Sequence, residues 1–419
     1  MKLAPMLGIV AIVLGGCTAS DAPATPEEST VDPAAPRTIE LAGTEVDVHP
    51  PPAGAEASPV VVMLHGTEGD RTKMNPLAAA VAAEGALVYV PSWPVIDQVA
   101  AFPEDAGGEP FRRQSEAVVC TLRAIRRTSP ELGADPDNLT VVGHSGGGMI
   151  GARVSLVDEP PWPGIDCDAD IDHRPSRFIG LAGDYEGWYQ YGTMYQDLYA
   201  PYDLLAHEPT NTDLEMWLLH GHNDATVPLY ISDELLAHAR SAGIGAQLIT
   251  ADWDHAAPLD PDGPAGRYTA DFISAIVHDA ADASWERTDA DATLSFEGED
   301  RCTYSGPSTW PLEETLVVRL ENREGVDMCF GLVSVRPGSG PSPAELLQGG
   351  GELGVDDPDW VDFGGFVKVE PRSTSVLRFV LAEGDQRFVF YCHPDPEADH
   401  PWANWMFPAG SLTPDGLQP

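Results

Sequence analysis

The chain has 419 residues, 43% of them hydrophobic, which is enough for a sizeable core and for two or three domains. Its 66 acidic residues against 23 lysines and arginines give a formal net charge of -43, which repels phosphate backbones and excludes nucleic acid as a partner. Such acidity makes a solvated, non-sticky surface. Read more sharply, as adaptation to salt, it requires stability and activity to change between low and high salt.

The N-terminus, MKLAPMLGIVAIVLGGCTAS, carries one lysine, a short apolar run and then small residues. The run is too short for a comfortable transmembrane helix and suits the core of a signal peptide. Leu14-Gly15-Gly16-Cys17 resembles a bacterial lipobox. That resemblance implies that residues 1–17 form a lipoprotein-type leader and that Cys17 is lipidated. It implies an exported protein, anchored to the membrane through Cys17 and facing away from the cytoplasm. Residues 18–38 are rich in Ala, Pro, Ser, Thr and acids and read as a disordered linker. Export places the remaining cysteines in an oxidising compartment. Cys120–Cys167 and Cys302–Cys392 are the expected pairs, with Cys329 left over.

From residue 39 the pattern becomes that of a folded domain, expected to run to residue 285. TIELAGTEVDVHP alternates like an exposed strand, and SPVVVMLHG is a continuous apolar run stopped by glycine, as in a buried parallel strand. Residues 73–84 read as a helix and ALVYVPSW as a second buried strand. RRQSEAVVCTLRAIRRTSP has helical spacing at Val118, Leu122 and Ile125. NLTVVGHSGG reads as strand then turn, and GMIGARVSLV restarts a helix. RFIGLAG, LEMWLLHG and AQLITADWD are further strands. Helices are expected at SDELLAHARSAG and RYTADFISAIVHDA. Strands alternating with helices predict an α/β fold with a mostly parallel sheet. Residues 184–213, crowded with Tyr and Trp and without a clean period, read either as a surface excursion or as a cap over a substrate site.

Beyond residue 285 the stretches ETLVVRLEN, CFGLVSV, FVKVEP, TSVLRFVLA and QRFVFYC alternate between Gly- and Pro-rich turns. They predict an all-β sandwich over residues 286–419. CTYSGPSTWP with a late cysteine weakly resembles cupredoxin-like modules. Such modules hold copper through two His, a Cys and an axial Met. Cys392, His393, His400 and Met406 are present, but no histidine lies between His278 and His393, so copper is not expected. The sequence names no partner for this sandwich.

Gly143-His144-Ser145-Gly146-Gly147 matches G-x-S-x-G between an apolar strand and a helix, where a serine nucleophile occupies a tight turn. Glycines two residues to either side let strand and helix approach closely. A serine hydroxyl needs a base, and the base needs an orienting carboxylate. Asp224 follows the strand LEMWLLHG, and His255 follows AQLITADWD. Both lie where loops converge at the carboxyl edge of a parallel sheet. VVMLHG, GHSGG, HGHNDATVP and DWDHAAP, in that order, resemble the α/β-hydrolase family near its dienelactone-hydrolase and esterase branches. The resemblance covers about residues 39–282.

It implies that Ser145 is the nucleophile, His255 the general base and then acid, and Asp224 the residue that orients His255. Asp184 is the rival acid, and His220 and His222 are rival bases on the wrong side of the acid in chain order. Asp252 and Asp254 flank His255 too closely in sequence to brace its ring. The oxyanion donors are expected to be the N–H of Gly146 and of Thr67, in an HGTEGD loop where some lipases have HGGG. His65 is expected to brace that loop, Glu68 to be a solvated loop residue, and Gly148 has no assigned role. No metal and no cofactor is implied. The expected activity is hydrolysis of a small-molecule or polymeric carboxylic ester through an acyl-serine. Peptide or amide hydrolysis, or binding on an inactive hydrolase scaffold, are the alternatives.

Overall fold

The computed structural model describes residues 35–94, 109–157, 167–186, 203–279, 290–296, 302–306, 315–335, 360–380 and 387–394, apart from single positions within those ranges (56, 68, 169, 222, 252, 324, 326, 327 and 370). The leader, Cys17, nearly all of the linker, much of the 184–213 segment, His400 and Met406 lie outside the described residues, as do Glu68, His222 and Asp252.

The first expected strand is two. β1 (Arg37–Leu41) and β2 (Thr44–His49) pair antiparallel across Ala42 and Gly43, whose φ values of 51° and 78° make the tight two-residue turn that suits strand twist. There follow β3 (Ser58–Leu64), α1 (Asn75–Ala83), β4 (Leu87–Pro91), α2 (Glu109–Thr128), β5 (Ala134–His144), α3 (Gly146–Leu156), β6 (Arg177–Leu181), β7 (Glu215–Gly221), α4 (Tyr230–Ser241), β8 (Gly245–Ala251) and α5 (Pro264–Val277). Strands β4, β3, β5, β6, β7 and β8 are neighbours in that order and all parallel, with β2 antiparallel at the β4 side. This is the mostly parallel α/β sheet flanked by helices that the sequence predicts.

The continuous apolar runs are explained by two-sided burial. In β3, Val60, Val62 and Leu64 join a core under α2, α3 and α4, while Val61 and Met63 join a second core under α1 and α5. Period-2 alternation therefore sorts one hydrophobic strand between two apolar layers. Cys120 of α2 is bonded to Cys167, with Cα atoms 5.5 Å apart, as expected. Among the described residues no helix is long and apolar enough to cross a membrane.

The C-terminal region contains β9 (Ala292–Phe296), β10 (Cys302–Ser305), β11 (Thr315–Asn322), β12 (Met328–Val335), β13 (Trp360–Val369), β14 (Thr374–Val380) and β15 (Arg387–Pro394). They form two sheets, as a sandwich requires, with β13 against β11 and β14. One sheet, β13-β12-β15, is antiparallel and separate. The other is not separate. The order β14-β11-β9-β10 runs on from β8, because β14 pairs parallel to it with Arg378 opposite Ile249 and Val380 opposite Ala251. Among the described residues the main sheet thus has 12 strands and continues past the boundary expected at residue 285. Cys302 and Cys392 fall on strands of different sheets, and their side chains lie outside the described set.

Candidate active site

Ser145 sits between the end of β5 and the first residue of α3, with φ 53° and ψ -125°, a conformation a non-glycine residue adopts only under constraint. The constraint is backbone hydrogen bonding. The Ser145 N–H donates to Leu181 O at 3.0 Å, and Ser145 O accepts from Gly148 N at 2.8 Å. The flanking glycines make the turn possible. A Cβ on Gly143 would lie 2.3 Å from Gly147 O, and one on Gly147 would lie 2.3 Å from Leu64 O. Gly148 has a role after all, because a Cβ there would meet Gly183 Cα at 2.8 Å. Ser145 is left half-buried amid buried neighbours.

Asp224 follows β7 and His255 follows β8. His255 Nδ1 donates to Asp224 Oδ2 at 2.7 Å, which leaves Nε2 with a free lone pair. Asp224 Oδ1 accepts the N–H groups of Thr226 and Val227, each at 2.8 Å. Burial alone would raise this carboxyl, but hydrogen bonds from His220 and His255 outweigh it and hold it far below the usual carboxylate range. His220, a sequence rival for the base, is wholly buried. Its Nε2 lies 2.9 Å from Val227 O and 3.2 Å from Asp224 Oδ2, and its Nδ1 lies 2.7 Å from Ser232 Oγ. It braces the acid. Asp254 is exposed and caps a turn through the N–H groups of Ala256 and Ala257, at 3.0 and 2.9 Å.

Ser145, His255, His144, Thr67, Gly66, Lys73 and Asp184 line one cleft of about 440 Å³. Gly66 lies close against Ser145, since a Cβ on it would stand 3.1 Å from Ser145 Cβ. The loop of Thr67 therefore faces the serine from the end of β3. His65 braces that loop, stacking on Trp93 at 5.4 Å while Trp93 Nε1 donates to His65 O at 3.0 Å. Gly146 opens α3, so its N–H is among those with no intrahelical acceptor, at the positive end of the helix dipole. Asp184, the rival acid, lines the cleft, and its N–H donates to Ser145 O at 3.3 Å. It is Asp224 that occupies the His255 ring nitrogen. Two residues on, burial and then the neighbouring Glu234 raise the Glu186 carboxyl to about 8.

Sequence reasoning passed over His144, the variable residue of G-x-S-x-G. It is buried, its Nε2 donates to His255 O at 2.8 Å, and the two rings stand 4.6 Å apart. Only the loop after β8 shows this partner, and no local spacing announces it. Among the described residues no group of three or more His, Cys, Asp or Glu is placed to hold a metal ion.

No family model matches the chain, and no curated protein matches it. Among solved structures it is similar to a thermophilic esterase of the planctomycete Thermogutta terrifontis. The propionate-bound form shares 17% identity over 59% of this chain and 95% of that one, with a TM-score of 0.47. The native form shares 17% identity over 59% and 93%, with a TM-score of 0.48.

Proposed function

We propose that this protein is a serine hydrolase that cleaves carboxylic esters through an acyl-serine. The observation that carries the reading is the 2.7 Å bond from His255 Nδ1 to a buried Asp224, in the same cleft as a serine held at positive φ. In the reaction, His255 Nε2 takes the proton of Ser145 Oγ as the oxygen attacks the ester carbonyl. The N–H groups of Gly146 and Thr67 stabilise the oxyanion, each such donor contributing about 2.7–4 kcal/mol. The imidazolium, stabilised by Asp224, returns the proton to the departing alcohol. Water then attacks the acyl-serine by the same route, with His255 again acting as base. No step calls for a cofactor.

Hydrolysis of p-nitrophenyl butyrate, with covalent labelling by a fluorophosphonate, tests the reading. Wild type is expected to turn over the ester and take the label. Ser145→Ala is expected to lose label and about 10³-fold or more of its turnover. Full activity in Ser145→Ala overturns the nucleophile. A wild type that takes no label favours a binding role on an inactive scaffold, and turnover of a peptide amide in preference to the ester favours the amidase reading. From the lipobox-like Leu14–Cys17 we further propose export and anchoring through lipidated Cys17. An unmodified N-terminus downstream of Cys17 in mass spectrometry overturns that.

A further inference from the structure

Resting on the acyl-transfer reading of the cleft, we propose that His144 is a positioning residue that sets His255 against Ser145. Three observations meet in its ring. It is the residue bonded directly to the nucleophile, so any shift of its backbone moves Ser145. Its Nε2–H holds the carbonyl of His255 at 2.8 Å, and its ring packs at 4.6 Å on the His255 ring. Its other edge faces the oxyanion loop, where a Cβ on Gly66 would stand 3.3 Å from His144 Nδ1. One rigid imidazole thus spans the strand end of the nucleophile, the loop of the base and the loop of the oxyanion donor.

Those segments come from β5, β8 and β3, and the His144 and His255 positions are 111 residues apart in sequence. Asp224 orients the His255 ring about its own axis, and Asp254 caps the N–H groups of Ala256 and Ala257 within the loop. His144 adds the tie from the loop, at the His255 carbonyl, to the strand end that carries Ser145. Burial, and then the neighbouring His255, push the His144 ring down to about 4. It therefore stays neutral near pH 7 and adds no charge beside the imidazolium that forms on His255. Near-attack geometry is worth orders of magnitude, and a misplacement of about 1 Å can cost about 10²-fold.

The test compares His144→Gln, whose amide nitrogen can reach the same carbonyl, with His144→Phe, which fills the space but has no donor. Three readouts are taken: kcat and KM on p-nitrophenyl butyrate, Tm, and the low-field proton NMR signal of the His255 Nδ1–H, identified by its loss in His255→Gln. The Phe variant is expected to lose about 30- to 300-fold in kcat with KM within about threefold, and to broaden or lose the low-field signal. The Gln variant is expected to recover to within about fivefold of wild type and to keep the signal, at a Tm close to that of the Phe variant. Equal kcat in the two variants overturns the proposal, as does a change confined to KM. The proton signal separates the two claims. A wild type that shows the signal, loses it only in the Phe variant and hydrolyses no ester leaves the positioning role standing and overturns the ester reading. A signal unchanged in the Phe variant overturns the positioning role whatever the turnover.

Discussion

Four donors converge on the carboxylate of Asp224: the N–H groups of Thr226 and Val227 on one oxygen, and the rings of His220 and His255 on the other. An amide there must turn its NH₂ toward one of these pairs. In Asp224→Asn, either two backbone donors face a donor, or His255 is driven to the tautomer that protonates Nε2 and can no longer accept the serine proton. The expected result is a loss of about 10³- to 10⁴-fold in kcat with KM little changed. Asp184→Asn, beside Ser145 but off the His255 ring, is expected to cost far less. Steady-state kinetics on one ester distinguishes them, and equal losses would return the acid to contention. At this scale the sequence named Ser145, Asp224 and His255 by residue type, order and position after strands. It was silent on His144 and offered His220 only as a rival base, because a histidine that braces another group has the same local pattern as one that does nothing.

Among the elements, β5, the turn at Ser145 and α3 behave as one unit, since the turn works only if strand and helix nearly touch. The clash a Cβ on Gly147 would make is with backbone, at Leu64 O and His65 O, so no rotamer change relieves it. Gly147→Ala is therefore expected to push the start of α3 away from the end of β3. It should destabilise the fold by about 2–4 kcal/mol and cut turnover by more than the unfolded fraction explains. Urea denaturation followed in parallel with kinetics checks both parts, and unchanged stability would mean that the turn has room it is not shown to have. The strands of this unit were legible because two-sided burial writes an unbroken apolar run into the chain. β9 and β10 do not announce themselves as strands in the sequence. β9 is five residues long and β10 four, and acidic residues flank them, so they take their place from the pairing with β11 and with each other. The β1–β2 hairpin has the sequence pattern of one strand because its turn needs only Ala42 and Gly43, too short to interrupt the alternation.

For the whole molecule the decisive contact is β8 with β14, which joins residues on either side of the expected domain boundary. No periodicity reveals which strand edges meet across such a separation, which is why the sequence divided the chain where the pattern changed and not where the sheet ends. Thr250 Oγ1 of β8 donates to Arg378 O at 3.1 Å, and Ile249 and Ala251 are fully buried. A chain ending at residue 285 would leave the last part of β8 as an open edge, with unpaired backbone groups and exposed apolar surface. That edge lies four residues before His255, so the damage reaches the site. The truncated protein is expected to melt well below the full chain, to scatter light as it associates through β8, and to lose turnover even where it remains folded. Both forms must be compared at one ionic strength, because a net charge of -43 makes self-repulsion salt-dependent. A truncated chain that stays monomeric, melts with the full chain and hydrolyses ester at the full rate would show that β14 only rests on a sheet complete without it. Parallel sheets are stable when both faces and both edges are covered, and here β14 covers the edge nearest His255.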